Sequence, residues 1–473
     1  MNTKMKKNIL LIWPYGFDPQ YVLPLSLAYL KSNLSVDKYN IEILDCALLR
    51  LDANSRKDEI ISRIKKFNPY IVAVSTWSLT YLESIELMKI TKSIDDKIIT
   101  VMGGIHITAY PESAVKCEYV DFSVRGEAES SFSDFIEESC KTVPNYSLVD
   151  GLVYRGADNV INMNPIAYKS DLDTIKIPDY DSIQLDKYIE QGYRYNTTIR
   201  KNAPILVTRG CPYSCVFCSA PVINGRKIRK HSKEYIINWI KYLYYEKNIR
   251  MINIIDDNFT FDTNYAKDVC KEIIKLNLRD LQFGTPNGIR IQNTDKELLL
   301  LMRKAGWKVL SIAPESGSKK VLELMNKRLD LDIIPLKVKE IREAKLKVHG
   351  LFMIGFPGET REDIKQTVKL IRRSKFDFFF IANFQPLPGT PIYNTLVSRH
   401  EIENGLLPAN VSDGTRVYTP AGLKDFNFPL FILKEYAIFI ITNPLRIFYI
   451  IRILDIKMIV KKAIVNIINV LKK

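Results

Sequence analysis

Residues 205–218 read Ile-Leu-Val-Thr-Arg-Gly-Cys-Pro-Tyr-Ser-Cys-Val-Phe-Cys, so three cysteines, Cys211, Cys215 and Cys218, directly follow an apolar, strand-like stretch. Cysteine thiolate is the usual protein ligand of an iron–sulfur cluster, and each of the four irons of a cuboidal cluster needs a ligand. Three thiolates on one short loop can reach three of those irons. The spacing therefore predicts a [4Fe–4S] cluster whose fourth iron is open to a small molecule.

Zinc binding and disulfide formation are two other uses of such cysteines. Three close thiolates could hold zinc with His231 or Cys270 as the fourth ligand, although structural zinc sites more often use paired C-x-x-C knuckles and the chain has no second knuckle. A disulfide framework is disfavoured because the number of cysteines, seven, is odd. The apolar run near the start ends at Pro14, too early for a signal-peptide core, so we expect a reducing, cytoplasmic location.

The composition sets the broad class. A length of 473 residues suggests two or three domains, and a hydrophobic fraction of 47% allows large cores. The net charge is +15, yet we find no arginine-rich arm and no basic stretch interleaved with aromatic residues. We therefore expect a solvated basic surface and no nucleic-acid partner.

Residues 1–150 alternate apolar runs with helical patterns, which predicts an α/β domain with a parallel sheet covered on both faces. We assign this part to a doubly wound, flavodoxin-like or Rossmann-type domain. Its loops carry Ser75-Thr76 after the third strand and Gly103-Gly104 after the fourth, at the edge where such sheets bind ligands. A Gly-Gly pair can also simply form a tight turn. The predicted strands span residues 8–13, 41–45, 71–75, 98–102 and 122–124, and the predicted helices 24–34, 58–67, 79–94 and one from about 130.

Residues 151–197 are predicted to form a hairpin and a linker. Two short apolar runs, 152–155 and 160–163, flank a Gly-Ala-Asp-Asn turn. The chain from 165 to about 195 is polar and lacks a clear period, so we expect it to cross the surface of the next domain.

Residues 198–400 repeat a strand and a helix six times, which predicts a partial (β/α)6 barrel of the TIM type with its active site at the carboxyl ends of the strands. The expected strands are 205–208, 251–255, 281–284, 309–313, 348–354 and 378–384. Polar residues follow every strand, and each set alone could cap a helix or shape a turn. Six sets in register, beginning with the cysteines, favour a ligand site.

Residues 401–473 are predicted to be a helical C-terminal region. The apolar segment 428–442 covers about four helical turns, which is too short to span a bilayer. The following segment, 445–471, has an apolar stripe and a basic remainder. It either lies on the inner face of the membrane, which would suit a lipid-like substrate, or packs on the barrel mouth or in a dimer.

The cysteine spacing, with Phe217 before the third cysteine, resembles the CxxxCxxC signature of the radical SAM superfamily. The resemblance implies that the open iron binds S-adenosylmethionine (SAM) and that one electron cleaves it to a 5′-deoxyadenosyl radical. It also implies a low-potential electron donor of the flavodoxin or ferredoxin type. Carried over by position, the SAM contacts are the acidic pair Asp256 and Asp257 for the ammonium, Glu315 and Ser316 for the ribose, and Phe217 and Gly355 for the adenine.

The string Val101-Met102-Gly103-Gly104-Ile105-His106, with Pro111-Glu112 and Arg125-Gly126-Glu127-Ala128-Glu129, resembles the cobalamin-binding domain that precedes many radical SAM cores. The resemblance covers roughly residues 7–145 and implies a pocket for the cobalamin nucleotide tail. Its expected contacts are Ser75, Thr76, Gly103, Gly104 and His106.

None of the chain's four histidines lies in the Asp-x-His-x-x-Gly motif of the mutases. If cobalamin binds, we therefore expect its lower face to have no histidine ligand, and a satisfied histidine with no ligand role is the alternative for His106. A degenerate domain that binds no cobalamin also stays open.

Together these resemblances imply a cobalamin-dependent radical SAM enzyme, with C-methylation of an unactivated carbon in a small-molecule substrate as the leading hypothesis. A radical cyclase or rearrangement enzyme of the same architecture is the nearest alternative. A methylthiotransferase would need a second cluster, and Cys46, Cys117 and Cys140 are scattered. A non-catalytic cobalamin or metal sensor is the alternative from another class.

Overall fold

The computed structural model describes residues 6–49, 51–156, 158–194, 199–405, 417–444 and Tyr449. The predicted amphipathic helix 445–471 lies outside these residues except for Tyr449, so its structure stays a prediction.

The first domain is built on a seven-stranded sheet with helices around it. Its order is β2-β1-β3-β4-β5-β6-β7, with parallel pairing through β5, which is the doubly wound order of flavodoxin-like folds and confirms the predicted class. The strands are β1 (Lys7–Trp13), β2 (Tyr39–Asp45), β3 (Ile71–Ser75), β4 (Ile99–Gly103), β5 (Phe122–Val124), β6 (Leu152–Arg155) and β7 (Ile161–Met163). The helices are α1 (Leu25–Asn33), α2 (Ala53–Phe67), α3 (Tyr81–Ile94), α4 (Ile105–Ala109), α5 (Glu112–Val115) and α6 (Ala128–Ser139).

The hairpin β6–β7, which the sequence analysis placed with the linker, extends this sheet. β6 pairs antiparallel with β5, with Val124 opposite Leu152. The chain enters the hairpin through Gly151, whose φ is +67° and whose added Cβ would lie 2.5 Å from the carbonyl oxygen of Arg125. A glycine is therefore required where the connection passes β5. The domain boundaries themselves stay predictions.

The second domain is a half-closed barrel of six parallel strands in two three-stranded sheets, β12-β11-β8 and β13-β14-β15. Single parallel bridges, Phe283 to Trp307 and Ile289 to Ile312, join the two halves. This arrangement confirms the predicted partial barrel. Its strands are β8 (Asn202–Ile205), β11 (Met251–Ile254), β12 (Gln282–Gly284), β13 (Val309–Glu315), β14 (Lys347–Ile354) and β15 (Phe378–Asn383), and a small ribbon adds β9 (Thr208–Arg209) and β10 (Arg229–Lys230).

Helices surround the barrel and connect its strands. They are α7 (Leu185–Glu190), α8 (Ala220–Asn224), α9 (Lys233–Lys241), α10 (Thr263–Lys275), α11 (Lys296–Ala305), α12 (Lys319–Leu324), α13 (Ile333–Glu343), α14 (Arg361–Ser374), α15 (Pro391–Ser398) and α16 (Phe428–Thr442).

The first barrel strand ends earlier than predicted. The expected strand covered 205–208, whereas β8 stops at Ile205. Beyond it, the amides of Val207 and Thr208 donate to the carboxylate of Asp256, and Thr208 pairs antiparallel with Lys230. The chain therefore leaves the barrel sheet and forms the ribbon β9–β10 that leads into the cysteine loop.

One face of helix α1 packs into the hydrophobic core of the barrel. Leu25, Ala28 and Tyr29 of α1 belong to the same buried cluster as the barrel strands. The ring of Tyr29 lies edge-on to that of Trp239 in α9, with their centroids 6.3 Å apart. Helix α1 thus packs on the first domain through Leu27 and on the barrel through its opposite side.

Helix α16 matches the predicted apolar segment and covers the free edge of the barrel sheet. The hydroxyl oxygen of Tyr436 accepts the amide N–H of Ile381 at 3.2 Å, and its ring stacks on Phe378 at 5.9 Å. An open strand edge is a site of unwanted strand pairing, and a covering helix removes it. As predicted, none of the described helices is long and apolar enough to cross a bilayer.

Candidate active site

The cysteine loop follows β9 and is held by backbone contacts. The amide of Cys211 donates to the carbonyl of Gly225 at 3.0 Å, and that of Cys218 donates to Cys215 at 3.2 Å. Gly210 has φ +94°, and a Cβ there would lie 2.3 Å from the carbonyl oxygen of Lys227. Only glycine fits at the start of the loop, and all three cysteines lie half-buried on one turn.

Other barrel segments close around this loop. The amide of Val216 donates to Met325, the amide of Ile392 donates to Val216, and both distances are 3.0 Å. The side-chain amide of Asn326 donates to the backbone oxygen of Ser214, also at 3.0 Å. The loop is therefore fixed by the segments that follow the fourth and sixth strands, at the carboxyl end of the barrel.

The zinc alternative with His231 or Cys270 is contradicted. Nδ1 of His231 lies 2.9 Å from Oδ1 of Asp173, its buried ring stacks on Tyr235 at 4.1 Å, and Cys270 lies in the barrel core. Within the described part of the chain, no three His, Cys, Asp or Glu side chains are placed to hold one metal ion. Thiols that cannot share one ion still suit a cubane, since each binds a different iron.

Burial raises the pKa of the Cys211 thiol and raises that of Cys218 to about 12. Without metal, these groups stay protonated at neutral pH. Coordination by a metal ion deprotonates a thiol outright. The positive charge of bound iron would therefore stabilise the thiolates, which no neighbouring protein group does sufficiently. The donor set fits a cluster that loads together with proton release.

The two predicted ammonium acceptors differ in their surroundings. Burial raises the pKa of Asp256 to about 7, and its carboxylate accepts the amides of Val207 at 2.7 Å and Thr208 at 2.8 Å and the Thr208 hydroxyl at 2.8 Å. Asp256 therefore supports the path into the cysteine loop. Asp257, whose pKa is also raised by burial, accepts one side-chain bond from Asn224 at 2.8 Å and lies beside the cysteines.

The two predicted ribose contacts also separate. Glu315 is held at φ +66°, a strained conformation for a residue other than glycine, and Oε1 lies 2.8 Å from Nζ of Lys327. Ser316 is fully buried, and its hydroxyl oxygen lies 3.2 Å from that of Thr367 and accepts the amide of Ser318 at 3.2 Å. The Ser316 hydroxyl thus serves the turn after β13, while Glu315 stays the candidate.

The predicted adenine wall is assembled in one place. The ring of Phe217 meets that of Phe356 edge-on, with centroids 6.4 Å apart, and Phe356 follows Gly355. Gly355 has φ +83°, and its amide donates to the carboxylate of Glu359. A Cβ at Gly355 would lie 2.9 Å from the ring of Phe428. The structure therefore brings the cysteine loop and the turn after β14 together.

Asn258, which continues the acidic segment predicted to accept the SAM ammonium, and two side chains with no predicted SAM contact, Thr285 and Asn383, lie after or at the end of barrel strands. Asn258, Thr285 and Asn383 each carry a buried oxygen that has no hydrogen-bond partner among the described residues. Leaving such an atom unpaired costs about 1–3 kcal/mol, so a polar ligand at the carboxyl end of the barrel would relieve that cost. The signal available in the sequence was an amide or hydroxyl just after a strand or at its last residue.

The predicted cobalamin loops contact each other. Gly104 has φ +96°, and its added Cβ would lie 2.6 Å from the backbone oxygen of Thr76 and 3.2 Å from Oγ of Ser75. The Thr76 amide donates to Gly103 at 2.8 Å, and the buried Thr76 hydroxyl has no partner among the described residues. A glycine-walled turn with an unpaired hydroxyl fits a polar ligand tail.

His106 differs from its predicted role. Its Nδ1 lies 2.8 Å from the hydroxyl of Ser78 and its Nε2 lies 3.3 Å from that of Ser113, and the ring packs on Tyr81. Burial lowers the pKa of His106 to about 4, so it is neutral at physiological pH. Both nitrogens are engaged, which leaves neither ring nitrogen for a ligand.

The cobalamin loop and the cysteine loop are neighbours. Helix α4, which follows Gly104, packs against α8, which follows Cys218. A Cβ at Gly389, after the sixth strand, would lie 2.8 Å from that of Ala109 in α4. The two predicted ligand sites therefore meet at the boundary between the domains.

Comparisons with known proteins agree with this arrangement. Residues 205–371 match the model of the radical SAM superfamily, and residues 19–136 match that of the B12 binding domain. A relative from Pyrococcus horikoshii, named an uncharacterized methyltransferase, is 30% identical over 404 residues, which cover 85% of this chain and 84% of the relative. Cytidylyl-2-hydroxyethylphosphonate methyltransferase from Streptomyces wedmorensis is 26% identical over 443 residues, which cover 82% of each chain.

The fold is also shared with a solved structure. TsrM from Kitasatospora setae, a radical S-adenosylmethionine methyltransferase solved with cobalamin and a [4Fe–4S] cluster, aligns with a TM-score of 0.74 at 16% identity and covers 91% of each chain. The family models together match both domains. With these matches and a 30% identical relative covered over most of its length, the chain belongs to the radical SAM superfamily, in the group that carries a B12-binding domain.

Proposed function

We propose that this enzyme methylates an unactivated carbon of a small-molecule substrate, using the [4Fe–4S] cluster, SAM and cobalamin of its family. The observation that carries the proposal is the contact between α4 of the B12-type domain and α8 behind the cysteine loop. Bound there, the cofactors supply radical formation and methyl transfer, while the protein supplies alignment and exclusion of water.

The residues around SAM have distinct proposed roles. Cys211, Cys215 and Cys218 hold the cluster, and Asp257 accepts the ammonium of SAM beside it. Glu315 accepts a ribose hydroxyl, with Lys327 holding its carboxylate in place at 2.8 Å. Asp256 and Ser316 were predicted to contact SAM, but their side-chain oxygens already accept hydrogen bonds from the protein. In this proposal Asp256 supports the path into the cysteine loop, and Ser316 supports the turn after β13.

The first domain is proposed to hold the cobalamin tail. Ser75, Thr76, Gly103 and Gly104 line the turn after β3 and β4, where the chain passes too closely for a side chain at Gly104. His106 contributes through its bonds to Ser78 and Ser113, which fix the start of α4. With both ring nitrogens engaged, His106 would supply no ligand to bound cobalamin.

Anaerobic reconstitution tests the proposal. We expect about four irons per chain, a cobalamin absorption spectrum, 5′-deoxyadenosine on reduction with SAM, and a product heavier by one methylene unit. Cys215→Ala should abolish 5′-deoxyadenosine formation. Uptake of zinc in place of iron, or unchanged turnover by the Cys215→Ala protein, would contradict the proposal.

The same experiment separates the alternatives. 5′-Deoxyadenosine without a methylated product would indicate a cyclase or rearrangement enzyme, and absence of SAM cleavage would indicate a sensor. A methylthiotransferase would bind about eight irons. Cys46 lies buried after β2, Cys117 is half-buried after α5 and Cys140 is exposed after α6, so the described structure does not gather them.

We further propose a cytoplasmic location and an external low-potential donor of the flavodoxin or ferredoxin type. A reduced cluster and free thiols both require a reducing compartment. Reduction of the cluster by a reduced flavodoxin, followed by its electron paramagnetic resonance (EPR) signal, tests the donor. A cluster that accepts electrons from dithionite and from neither protein class would contradict it.

Contact with an anionic membrane surface is proposed for the groove between α14 and α16. Five basic side chains line it together with Val368, Phe431 and Glu435. Arg372 pairs with Glu435 at 2.8 Å, and Lys365 and Arg373 pair with Glu362 and Asp332 at 3.1 Å and 3.7 Å. Leu430 and Leu433 are exposed beside it. The basic residues are Lys365, Lys369, Arg372, Arg373 and Lys434.

Vesicle binding tests this surface without removing α16, which covers the edge of β15. Each basic residue near an anionic surface contributes about 1 kcal/mol, so Lys369→Gln with Lys434→Gln should weaken binding about 25-fold. The vesicles contain equal parts of phosphatidylcholine and phosphatidylglycerol. The control pair, Lys65→Gln with Lys66→Gln, changes the charge equally on exposed residues of α2. Equal loss in both pairs, or no binding by the unmodified protein, would contradict the proposal.

A further inference from the structure

Four buried charges cross the boundary between the two domains. Glu127 and Glu129 come from the segment that opens α6, and Arg209 and Arg229 come from the ribbon β9–β10. Their side chains are between 4% and 11% exposed. We name these four residues the interdomain clamp.

One pair of the clamp, Arg229 with Glu127, has the geometry of a directed ion pair, and Arg209 adds charge contacts at short distance. Arg229 binds Glu127 through both nitrogens of its fork, at 2.7 Å and 2.5 Å. Arg209 lies 3.3 Å from Glu127 and 2.7 Å from Glu129. A bidentate arginine–carboxylate pair fixes direction as well as distance.

The arginines hold both ends of the cysteine loop. Arg209 stands two residues before Cys211, and Arg229 pairs with Arg209 across the ribbon. Arg229 also donates to the carbonyl of Asn224 at 2.9 Å, at the end of the helix that follows Cys218. The loop that would carry the cluster is therefore gripped before its first cysteine and after its last.

The glutamate segment also holds the cobalamin loop. The amide of Gly126, next to Glu127, donates to the hydroxyl of Thr108 in α4 at 2.9 Å. Gly126 has φ +75°, and a Cβ there would lie 2.6 Å from Ile166, so the segment fits in one tight path. A single stretch of four residues thus contacts α4 on one side and, on the other, the ribbon β9–β10 that flanks the cysteine loop.

Stability alone does not explain such a cluster. Buried ion pairs pay a large desolvation cost, and apolar residues of similar volume often stabilise a fold as well or better. A bidentate arginine–carboxylate pair fixes the relative placement of the two groups that it joins. Apolar contacts fix that placement less strictly. Charge at this boundary therefore points to control of geometry.

We propose that the interdomain clamp sets the distance and orientation between the cluster and cobalamin, with Glu127 and Arg229 as positioning residues. The inference rests on the proposed function, since it concerns the two cofactors of that site. It assigns a positioning role to the ion pairs between Glu127 and the ribbon β9–β10, which contact neither cofactor in the proposed function.

Magnetic interaction between the reduced cluster and cob(II)alamin in the holoenzyme provides the test, because dipolar coupling falls with the inverse cube of distance. In the unmodified protein we expect one narrow distribution by pulsed EPR. Glu127→Gln keeps the shape but removes the charge, and should broaden the distribution at unchanged iron and cobalamin content. A purely structural role would lower the melting temperature while leaving the distance in the folded fraction as it was.

Matched variants complete the design. Glu129→Gln leaves the Arg229 pair intact and should give a smaller broadening, and it decides the question if Glu127→Gln does not fold. Glu137, which like Glu129 lies in α6, forms an exposed ion pair with Lys38. Glu137→Gln removes this pair and should leave the distance distribution unchanged. In the metal-free protein, Glu127→Gln should also speed amide exchange at Cys211 several-fold.

The outcomes separate the inference from the function. A coupling distribution identical to that of the unmodified protein in every folded clamp variant would overturn the inference while leaving the function intact. An unmodified protein that takes up neither cofactor would overturn both.

Discussion

Asp256→Asn distinguishes support of the cysteine loop from direct contact with SAM. The Asp256 carboxylate accepts three hydrogen bonds, from the Val207 amide and from the amide and hydroxyl of Thr208. An asparagine keeps one acceptor oxygen and turns an NH₂ group toward an N–H donor. The best orientation keeps the two bonds to Thr208 and loses the one to Val207.

The magnitude follows from that loss. A hydrogen bond to a charged group contributes about 1.5–3 kcal/mol, and a buried amide left unpaired costs about 1–3 kcal/mol. Relief from burying a charge offsets part of the sum, so we expect a destabilisation of about 3 kcal/mol. For a domain of this size, that lowers the melting temperature by roughly 6–12 °C.

Thermal unfolding of the metal-free protein at pH 8 provides the assay, because the pKa of Asp256 is raised to about 7 and the group is ionised there. Asp257→Asn is the neighbouring control and should shift the melting temperature by less than Asp256→Asn, because Asp257 accepts two hydrogen bonds, from Asn224 and from the amide of Gly210, and an asparagine keeps an acceptor oxygen for one of them. In reconstituted enzyme, Asp257→Asn should weaken SAM binding more than Asp256→Asn. An unchanged melting temperature for Asp256→Asn together with a tenfold loss of SAM affinity would refute this reasoning.

Three further outcomes are expected. Tyr436→Phe removes the hydroxyl that accepts an amide of the edge strand and should cost about 1 kcal/mol in chemical unfolding, whereas Tyr245→Phe on the exposed surface should cost nothing measurable. Gly210→Ala should reduce iron uptake by more than half, whereas Gly405→Ala, with a similar positive φ but no atom of the described residues within 4 Å of an added Cβ, should not; equal effects would contradict the steric argument. Between pH 6.5 and 4 the buried neutral histidines should lower stability, because unfolding lets them take up protons, whereas Asp256, whose pKa is raised to about 7, acts in the opposite direction. His349→Gln should therefore lose less of its melting temperature than the unmodified protein between pH 6.5 and 4.5, and equal losses would contradict this. The histidines with pKa lowered to about 4 by burial are His106, His231 and His349.

Much of the fold was predictable because its signals are local. Apolar runs such as Ile71–Ser75 are buried over their whole length, and they alternate with helices at regular spacing. Helix α2 begins at Ala53, earlier than predicted, because the Asp52 side chain caps the amides of Asn54 and Ser55. Asp52 could have been recognised in the sequence as a capping residue. The start of α2 was still predicted too late, because the first turn of the helix carries few apolar residues.

Errors arose where a distant partner decides the conformation. Thr208 leaves the barrel strand because Asp256, 48 residues later, captures its amide. The hairpin joins the first sheet because β5 offers it a free edge, which no local pattern records.

The site divides in the same way. The cysteine spacing predicts its ligand chemistry directly, because ligand type and interval are local properties. Whether a polar residue after a strand faces a ligand or the protein depends on tertiary neighbours. Ser316 turned out to bond within its own turn, and His106 has both nitrogens engaged.

The packing of α1 into the barrel core limits how the enzyme admits its substrate. A hinge motion that separated the two domains would expose Leu25, Ala28 and Tyr29 to water. The free-energy cost of that exposure is about 1.5–3 kcal/mol for each large side chain. Breaking the buried charges at the same boundary would add to that penalty. Separation of the two domains is therefore an energetically costly route for substrate entry and product release.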